Sequence, residues 1–369
     1  MTRAARVANL GAEEGDDWRR AAREPAVAAL ARLWEDVLDG VPPVFDWLPG
    51  SNTAAAWLNT TEATRTARAP LAGPTPECVQ VVHDKAFGLR AAHEEKLVPE
   101  ALRDLTDIFD PGELADTANA TERIAATLAA WPAWTKGRFT LKPRFGSSGR
   151  GRFGGLAEDL DRDALEGALP RLAARGGAVL EPWLERTTDL SAQLFISRDG
   201  GITLLGTTTL LCDTSGVYRG HLATFDRKGR TTSGQRHDEP LREAAALVAV
   251  AAAAAGMTGP CGVDGFAFRV LDGPEVFRPV CEFNARYTAG TIALGLLRRH
   301  LVELKDGLGL SMEERGWVHF APLPPARGWP EPRPGEVVRI LLDPEAGEAG
   351  PALCASRESA ALEIGTVLP

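Results

Sequence analysis

The sequence predicts an α+β fold, in which strand pairs joined by short turns alternate with helices. Two turn sequences, RDGG at 198–201 and LDGP at 271–274, are each flanked by apolar runs, which is the signature of a β-hairpin. Between them, the alanine-rich segment 244–255 predicts a close-packed helix that ends at Gly256. This arrangement favours antiparallel hairpins over repeated β–α–β units.

The composition is typical of a soluble globular protein. The chain has 369 residues, of which 44% are hydrophobic, and this length is enough for two or three domains. Its 41 Lys and Arg against 50 Asp and Glu give a formal net charge of −9, which excludes a generic nucleic-acid or anionic-membrane binder. Five scattered cysteines without a CxxC pair indicate free thiols. No apolar signal segment opens the chain, and the alanine-rich segment is too short to cross a bilayer, so we expect a cytoplasmic protein.

Apolar periodicity and turn residues predict the remaining elements. The first 18 residues are polar, and we expect them to be frayed. Helices are expected over 27–38, up to 97, over 119–131 with a capping box of Asn119 and Glu122, and over 161–175. Strands are expected at 78–82, 138–142, 178–184, 190–196, 202–211, 261–270, 276–284 and 337–342. Residues 47–76 and the Pro-rich tail beyond 317 are expected to be mostly irregular.

A loop rich in glycine and arginine, PRFGSSGRGRFGG, follows the predicted strand 138–142. The GxGxxG spacing at 149–154 matches a dinucleotide-binding loop, but a poor helix start follows it and arginines crowd it, which argues against that interpretation. A P-loop is also disfavoured, because Arg152 stands where that motif requires lysine. Two interpretations remain: the loop and Lys142 bind a polyanion, or the loop is a flexible surface hairpin with solvated arginines.

Acidic residues stand on both strands of the second predicted hairpin. Asp264 lies on the first strand, and Glu282 and Asn284 lie two residues apart on the second. Residues two apart in a strand share a face, so all three side chains can point inward together. Two carboxylates and an amide oxygen form a site of the type that Mg²⁺ accepts, whereas the alternative is a set of exposed strand residues.

The order of these motifs resembles the ATP-grasp superfamily over about residues 79–295. The motifs are Asp84-Lys85 before a helix, Lys142 before the glycine loop, LEPWL at 180–184, GVD at 262–264 and EFNAR at 282–286. The resemblance implies an ATP-grasp fold in which two α+β lobes clasp ATP under a glycine-loop lid, preceded by a short N-terminal α/β region. It also implies the following parts: an N-terminal region 1–83, a mostly helical first part 84–137, a lid subdomain 138–184, a C-terminal lobe 185–310 with the metal site, and a Pro-rich extension 311–369.

The resemblance implies a role for each matching residue. ATP contacts are implied for Lys85, Lys142, Gly146, Ser147, Ser148, Gly149, Arg150, Gly151, Glu181, Trp183, Leu184 and Asp189. Within this set, residues 181–184 would recognise adenine, Asp189 the ribose, and the lysines and the loop the phosphates. Asp264, Glu282 and Asn284 would hold Mg²⁺, or Mn²⁺ in its place. Arg286 and Lys142 would act on the transferred phosphoryl and acyl groups.

The implied reaction is ATP-dependent carboxylate–amine ligation through an acyl phosphate, with release of ADP and phosphate. Ala267 stands where biotin-carboxylase-like members carry an acidic residue, which favours the peptide-ligase-like branch. Two alternatives stay open: an ATP-grasp phosphotransferase and a non-catalytic nucleotide-binding protein. The expected partners are small carboxylate and amine substrates, amino acids or a peptide among them, with a homodimer as a candidate assembly and neither nucleic acid nor membrane as a partner.

Overall fold

Three sheets organise the part of the chain that a computed structural model describes. It describes residues 5–40, 43–48, 50, 52–147, 149–213, 216–270 and 273–362, with backbone alone at 16 and 17. The N-terminal part contains β1 (Ala5–Val7), α1 (Trp18–Ala21), α2 (Pro25–Asp39), β2 (Ala54–Ala56), α3 (Thr61–Thr66), α4 (Pro76–Val82) and α5 (Lys85–Glu94). Strands β1 and β2 form a two-stranded parallel sheet.

A four-stranded antiparallel sheet occupies the middle of the chain. Its elements are β3 (Asp107–Phe109), α6 (Pro111–Ala115), α7 (Thr117–Ala130), β4 (Arg138–Pro143), β5 (Phe153–Leu156), α8 (Arg162–Ala174) and β6 (Ala178–Pro182). The strand order is β3-β6-β4-β5. Apolar residues of α7 and α8, such as Ile124 and Leu165, pack against Phe109 and Leu141 of the sheet and form its core. The glycine loop connects β4 to β5.

A nine-stranded antiparallel sheet forms the C-terminal part. Its elements are β7 (Arg186–Ile196), β8 (Ile202–Cys212), β9 (Tyr218–Asp226), β10 (Thr231–Thr232), α9 (Asp238–Ala254), β11 (Gly259–Arg269), β12 (Glu275–Asn284), α10 (Ala289–Arg299), α11 (Leu301–Gly307), β13 (Arg315–Ala321), β14 (Val337–Leu341) and β15 (Ala352–Ser356). The strand order is β12-β11-β7-β8-β9-β13-β15-β14, and β10 pairs with β9.

The two faces of β7 have different roles. Leu190, Ala192 and Leu194 pack into the core beneath α9, because alternate residues of a strand share a face. The residues between them, Ser191 and Gln193 included, point to the opposite face. The alanines of α9 let this helix approach the sheet closely, and Gly256, with φ of +92°, ends the turn that follows it.

Most predicted elements are confirmed, and the predicted hairpins correspond to β7–β8 and β11–β12. The segment 78–82, which we expected to be a strand, is instead the helix α4. Thr75 caps that helix by accepting a hydrogen bond from the backbone N–H of Cys78 at 3.2 Å, and Pro76 provides a favourable first residue. The cap of α7 is Asp116 rather than Asn119, because its carboxylate accepts from the Asn119 N–H at 3.2 Å.

Two further expectations need correction. The segment 47–76 is mostly irregular in its described residues, as predicted, with the short elements β2 and α3, but the tail contains β13 and β15 in addition to the predicted strand β14. Residues 1–4 lie outside the described residues, but residues 5–18 are not frayed, since Ala5–Val7 forms a strand and Ala12–Asp17 forms a 3-10 segment in which Glu13 and Glu14 are buried. All five cysteines are free thiols, as predicted. None of the helices in the described ranges combines the length and the apolar character needed to cross a membrane.

Candidate functional site

A deep cleft separates the glycine loop from the face of the nine-stranded sheet that is opposite α9. It encloses about 1420 Å³, its open mouth included. The cleft brings together most of the predicted site residues: Lys85, Lys142, Gly146, Ser147, Gly149, Arg150, Trp183, Asp189, Asp264, Glu282, Asn284 and Arg286. Residues more than 190 positions apart in the sequence therefore share one site.

Three of the predicted residues that the structure describes are not part of the cleft wall. Glu181 is buried beneath it, and Leu184 packs with Phe266 and Phe268 in a small apolar cluster. Gly151 lies beside the Arg175 side chain, so that an added Cβ would stand 2.1 Å from a guanidinium nitrogen. Ser148 lies outside the described residues.

The two acidic residues of the predicted metal site face each other across paired strands. The β11–β12 register pairs Asp264 with Glu282 and places Asn284 opposite Gly262. The Asn284 amide donates to Asp264 Oδ2 at 2.9 Å, and the Ser191 hydroxyl donates to Asp264 Oδ1 at 2.5 Å. Strand periodicity thus predicts correctly that the three side chains meet.

The electrostatics of this pair favour a cation. Burial and the charge of Glu282 together raise the pKa of Asp264 to about 6, against the hydrogen bonds from Ser191 and Asn284 and the charge of Arg286. Lys85 Nζ lies 3.2 Å from Glu282 Oε1 and compensates part of the negative charge. Within the described ranges no cluster of three or more His, Cys, Asp or Glu side chains is suited to a metal. The carboxylates, together with the Asn284 amide oxygen, fit a hard cation that takes its other ligands from phosphate or water.

Lys142 extends from β4 into the cleft and belongs to a buried network of ion pairs. Its ammonium group donates to Glu181, and Arg278 Nη2 donates to the other oxygen of the same carboxylate at 3.1 Å. Burial alone would raise the pKa of Glu181, but the charges of Lys142 and Arg278 outweigh it and lower the pKa to about 2. Glu181 is therefore ionised and fixes the position of Lys142.

Backbone and side-chain contacts hold the glycine loop over the cleft. Lys85 Nζ donates to the carbonyl of Gly146 at 2.7 Å, so one ammonium group connects the loop to Glu282. From the other side, the N–H and hydroxyl of Ser147 donate to Glu14 Oε1 at 3.1 and 3.0 Å. Arg150 Nη2 donates to Glu24 at 2.8 Å.

The N-terminal segment contributes two site residues that sequence reasoning missed. Glu13 Oε1 lies 3.0 Å from Arg286 Nε, and Glu14 accepts a hydrogen bond from Arg175 Nη2 at 2.7 Å. Both glutamates are buried, which is unusual for acidic residues without a functional or structural partner. The only local signal was an acidic pair beside Gly11, whose φ of +91° turns the chain into the cleft.

The opposite end of the cleft is flat and lined by aromatic and guanidinium groups. Arg152 lies over the Trp183 ring with its Cζ atom 4.3 Å from the centroid, and Arg186 lies 4.1 Å from the centroid of Phe266. Arg186 also donates to Asp189 Oδ1 at 2.7 Å. These stacked planar groups are suited to a planar ligand, with Asp189 available to a neighbouring hydroxyl group.

Solved structures with a similar fold exist, although neither a protein-family model nor a curated sequence matches the chain. The biotin carboxylase domain of 2-oxoglutarate carboxylase from Hydrogenobacter thermophilus, in complex with MgADP, ADP and bicarbonate, has a TM-score of 0.51 at 14% identity, over 83% of this chain and 70% of that chain. An ADP complex of PurK, an N5-carboxyaminoimidazole ribonucleotide synthetase, has a TM-score of 0.50 at 14% identity, over 88% and 82% of the two chains. The chain therefore has the α+β ATP-grasp fold that the order of its motifs predicts.

Proposed function

We propose that this protein is an ATP-dependent carboxylate–amine ligase, which forms an amide or peptide bond through an acyl phosphate. The observation that carries the proposal is the facing pair of Asp264 and Glu282, set in one cleft with Lys142, Arg286 and a glycine loop. This arrangement matches the needs of phosphoryl transfer, in which positioning and charge neutralisation supply most of the catalysis. The two solved structures compared above contain ADP, which supports an adenine nucleotide as the ligand.

In the proposed complex the adenine base lies at the flat end of the cleft. Trp183 and Phe266, with the guanidinium groups stacked on them, provide planar surfaces for the base. Asp189, already oriented by Arg186, accepts a hydrogen bond from the ribose. Lys142 and the N–H groups of the glycine loop bind the phosphates, as cations and backbone donors do in many anion sites.

Asp264, Glu282 and Asn284 would hold Mg²⁺, or Mn²⁺ in its place. When bound, the ion neutralises charge on the phosphate oxygens and on the two carboxylates. Lys85 contacts both Glu282 and the carbonyl of Gly146, so it holds this carboxylate and the loop together whether or not the ion is present.

The chemistry has two steps. A substrate carboxylate oxygen attacks the γ-phosphorus, the bond to the β–γ bridging oxygen breaks, and ADP leaves with that electron pair. The amine then attacks the carbonyl carbon of the acyl phosphate, the bond from carbon to the phosphate oxygen breaks, and the amine loses its proton as phosphate departs. Arg286, at the wall beyond Asn284, orients the acyl and phosphoryl groups.

Release of ADP from MgATP tests the proposal directly. We expect release to require a carboxylic acid, and the acyl group to be trapped as a hydroxamate by hydroxylamine or as an amide by an amino acid. Glu282→Gln should lower ADP release at least 100-fold while the circular-dichroism spectrum stays unchanged. Glu275→Gln, on the same strand but outside the cleft wall, is the matched control and should keep full turnover.

Two outcomes would replace the proposal by its alternatives. A stable phosphorylated acid that forms without any amine would indicate a phosphotransferase. Binding of MgATP without ADP release, over a broad pool of amino acids and small carboxylates, would indicate a non-catalytic nucleotide binder.

A further inference from the structure

A second cavity lies next to the cleft, close to the N-terminal sheet. It encloses about 860 Å³, its open mouth included. Two side chains, Trp57 and Arg286, line both the cleft and this cavity. The Arg286 guanidinium carbon stands 5.4 Å from the centroid of the Trp57 ring, so this pair forms the partition between the two spaces.

The strands place this cavity beyond the acidic pair, on the side away from the flat end of the cleft. Along one face of β7, Asp189 and Ser191 line the cleft and Phe195 lines the second cavity. On β11, Asp264 lines the cleft and Pro260 lines the second cavity. At about 3.3 Å per residue, four residues of strand span about 13 Å. A molecule whose carboxylate lies beside Arg286 at the partition can therefore have its body in the second cavity and its reacting end toward Asp264.

The walls of the second cavity are aromatic. Trp47 stacks on Phe195 with ring centroids 4.6 Å apart and an interplanar angle of 15°. Tyr287 lies 6.1 Å from Trp47 and 6.5 Å from Trp57, again between ring centroids. The remaining wall is built mainly from small residues, including Ala56, Ala72, Gly73, Gly259 and Ala285. Trp47 also stacks on Phe45, with ring centroids 4.8 Å apart, so a flat ring in the cavity meets the edge of Trp47 and needs no large side chain to move.

The charged residues in the described lining of the second cavity are basic. In a chain with a net charge of −9, the described lining carries two arginines, Arg198 and Arg286, and no acidic residue. Arg286, at the partition, already pairs with a carboxylate, that of Glu13, at 3.0 Å. An acid that enters with its ring in the cavity would meet this guanidinium at its carboxylate end.

We infer that the second cavity binds the body of the acid substrate, and that this substrate is a carboxylic acid with an aromatic ring. The inference rests on the proposed function for the reaction, but the binding itself requires no nucleotide. Arg286 holds the carboxylate at the partition, and the rings of Trp47, Trp57 and Tyr287 hold the body.

Calorimetric titration of the full chain with matched acids tests the inference. The probes are 3-phenylpropionate against propionate and L-phenylalanine against L-alanine, which differ only in the ring. We expect at least one aromatic acid to bind at least tenfold more tightly than its partner. Thr53→Leu and Ala72→Leu narrow the cavity and should each weaken that binding at least tenfold. Thr66→Leu, exposed on α3 and absent from the lining, is the matched control.

The possible results distinguish failure of the cavity assignment from failure of the ligase proposal. Equal affinity for both members of each pair overturns the inference, and so does unchanged binding in the folded wall variants. Thermal melting shows which of the two wall variants, Thr53→Leu and Ala72→Leu, is folded. Binding data from one folded wall variant are enough to decide the inference. ADP release with aliphatic acids only would overturn the inference and leave the ligase proposal intact. Ring-dependent binding without ADP release with any acid would support the cavity assignment and overturn the ligase proposal.

Discussion

The carboxylate of Glu14 occupies hydrogen-bond donors of the glycine loop. It accepts from the backbone N–H of Ser147 at 3.1 Å and from the hydroxyl of the same residue at 3.0 Å, across 133 positions of sequence. Arg175 donates to the same carboxylate at 2.7 Å. In the proposed function these loop donors bind phosphate. Glu14 therefore holds the loop in place and also competes with the nucleotide for the hydrogen-bond donors of Ser147.

Glu14→Gln should therefore change nucleotide binding and loop dynamics together. Removing the negative charge ends the competition, and we expect KM for MgATP to fall three- to tenfold, which corresponds to about 1 kcal/mol. In the nucleotide-free protein, backbone amides of 146–151 should exchange hydrogen faster, because the loop loses an ionic anchor. Steady-state kinetics and hydrogen-exchange mass spectrometry measure the two effects.

Glu24 provides the matched control. It pairs with Arg150 of the same loop at 2.8 Å, but its side chain is 51% exposed, so solvent screens the interaction. Glu24→Gln should leave both KM and loop exchange within twofold of the native values. If Glu14→Gln raised KM for MgATP, Glu14 would be a preorganising residue and the competition would be refuted.

Glu181 should be more important for stability than any exposed acid. Its carboxylate is enclosed by Lys142 and Arg278, so Glu181→Gln leaves two cations in a buried environment without their counter-charge. Breaking a buried ion pair in this way costs about 3–5 kcal/mol. We expect a loss of at least about 3 kcal/mol in the free energy of unfolding, measured with urea.

The pH dependence of stability gives a second measure of Glu181. Its pKa is about 2 in the folded chain against 4.5 ordinarily, so its contribution is present above pH 4.5 and is lost as the pH falls toward 2. Glu185→Gln is the control, since its pair with Lys136 at 3.5 Å is exposed on both sides and should contribute less than about 1 kcal/mol. Similar losses in the two variants would contradict the role of the buried network.

Local signals predicted the strands that build the site. Hairpin turns and two-residue periodicity fixed β7, β8, β11 and β12, and this periodicity also brought Asp264, Glu282 and Asn284 to one place. The error at α4 has a physical cause. A five-residue apolar run fits a strand or a helix equally well, and the deciding cap at Thr75 and Pro76 lies just outside it.

Contacts between distant segments could not be predicted from one sequence. Arg278 reaches Glu181 across 97 positions, and no periodicity within either strand indicates this pair. Glu13 and Glu14 belong to a short polar segment whose composition is typical of a frayed terminus. These acids gain their partners when the segment packs against the glycine loop, Arg175 and Arg286.

The burial of Asp264 beside Glu282 lowers the stability of the metal-free protein at neutral pH. Because its pKa is raised to about 6 in the folded chain from an ordinary value of 3.8, the folded state binds a proton that the unfolded chain has released between these values. The free energy of unfolding of the metal-free protein should therefore fall as pH rises from about 4 to 6. At neutral pH the ionised carboxylate faces Glu282 and destabilises the fold.

Asp264→Asn removes this repulsion and keeps the shape of the side chain. In the presence of a chelator at pH 7.5, we expect the variant to exceed the native protein by about 1–2 kcal/mol in free energy of unfolding and to lose the decline between pH 4 and 6. Asp104→Asn, at an exposed position, should change neither quantity. Added Mg²⁺ should stabilise the native chain more than the variant, because the variant has lost a carboxylate ligand. If the variant were less stable than the native protein at pH 7.5, the ionised Asp264 carboxylate would stabilise the fold, with its charge compensated by Lys85 and Arg286. The interpretation of Asp264 as a metal ligand that lowers the stability of the metal-free protein would then be wrong.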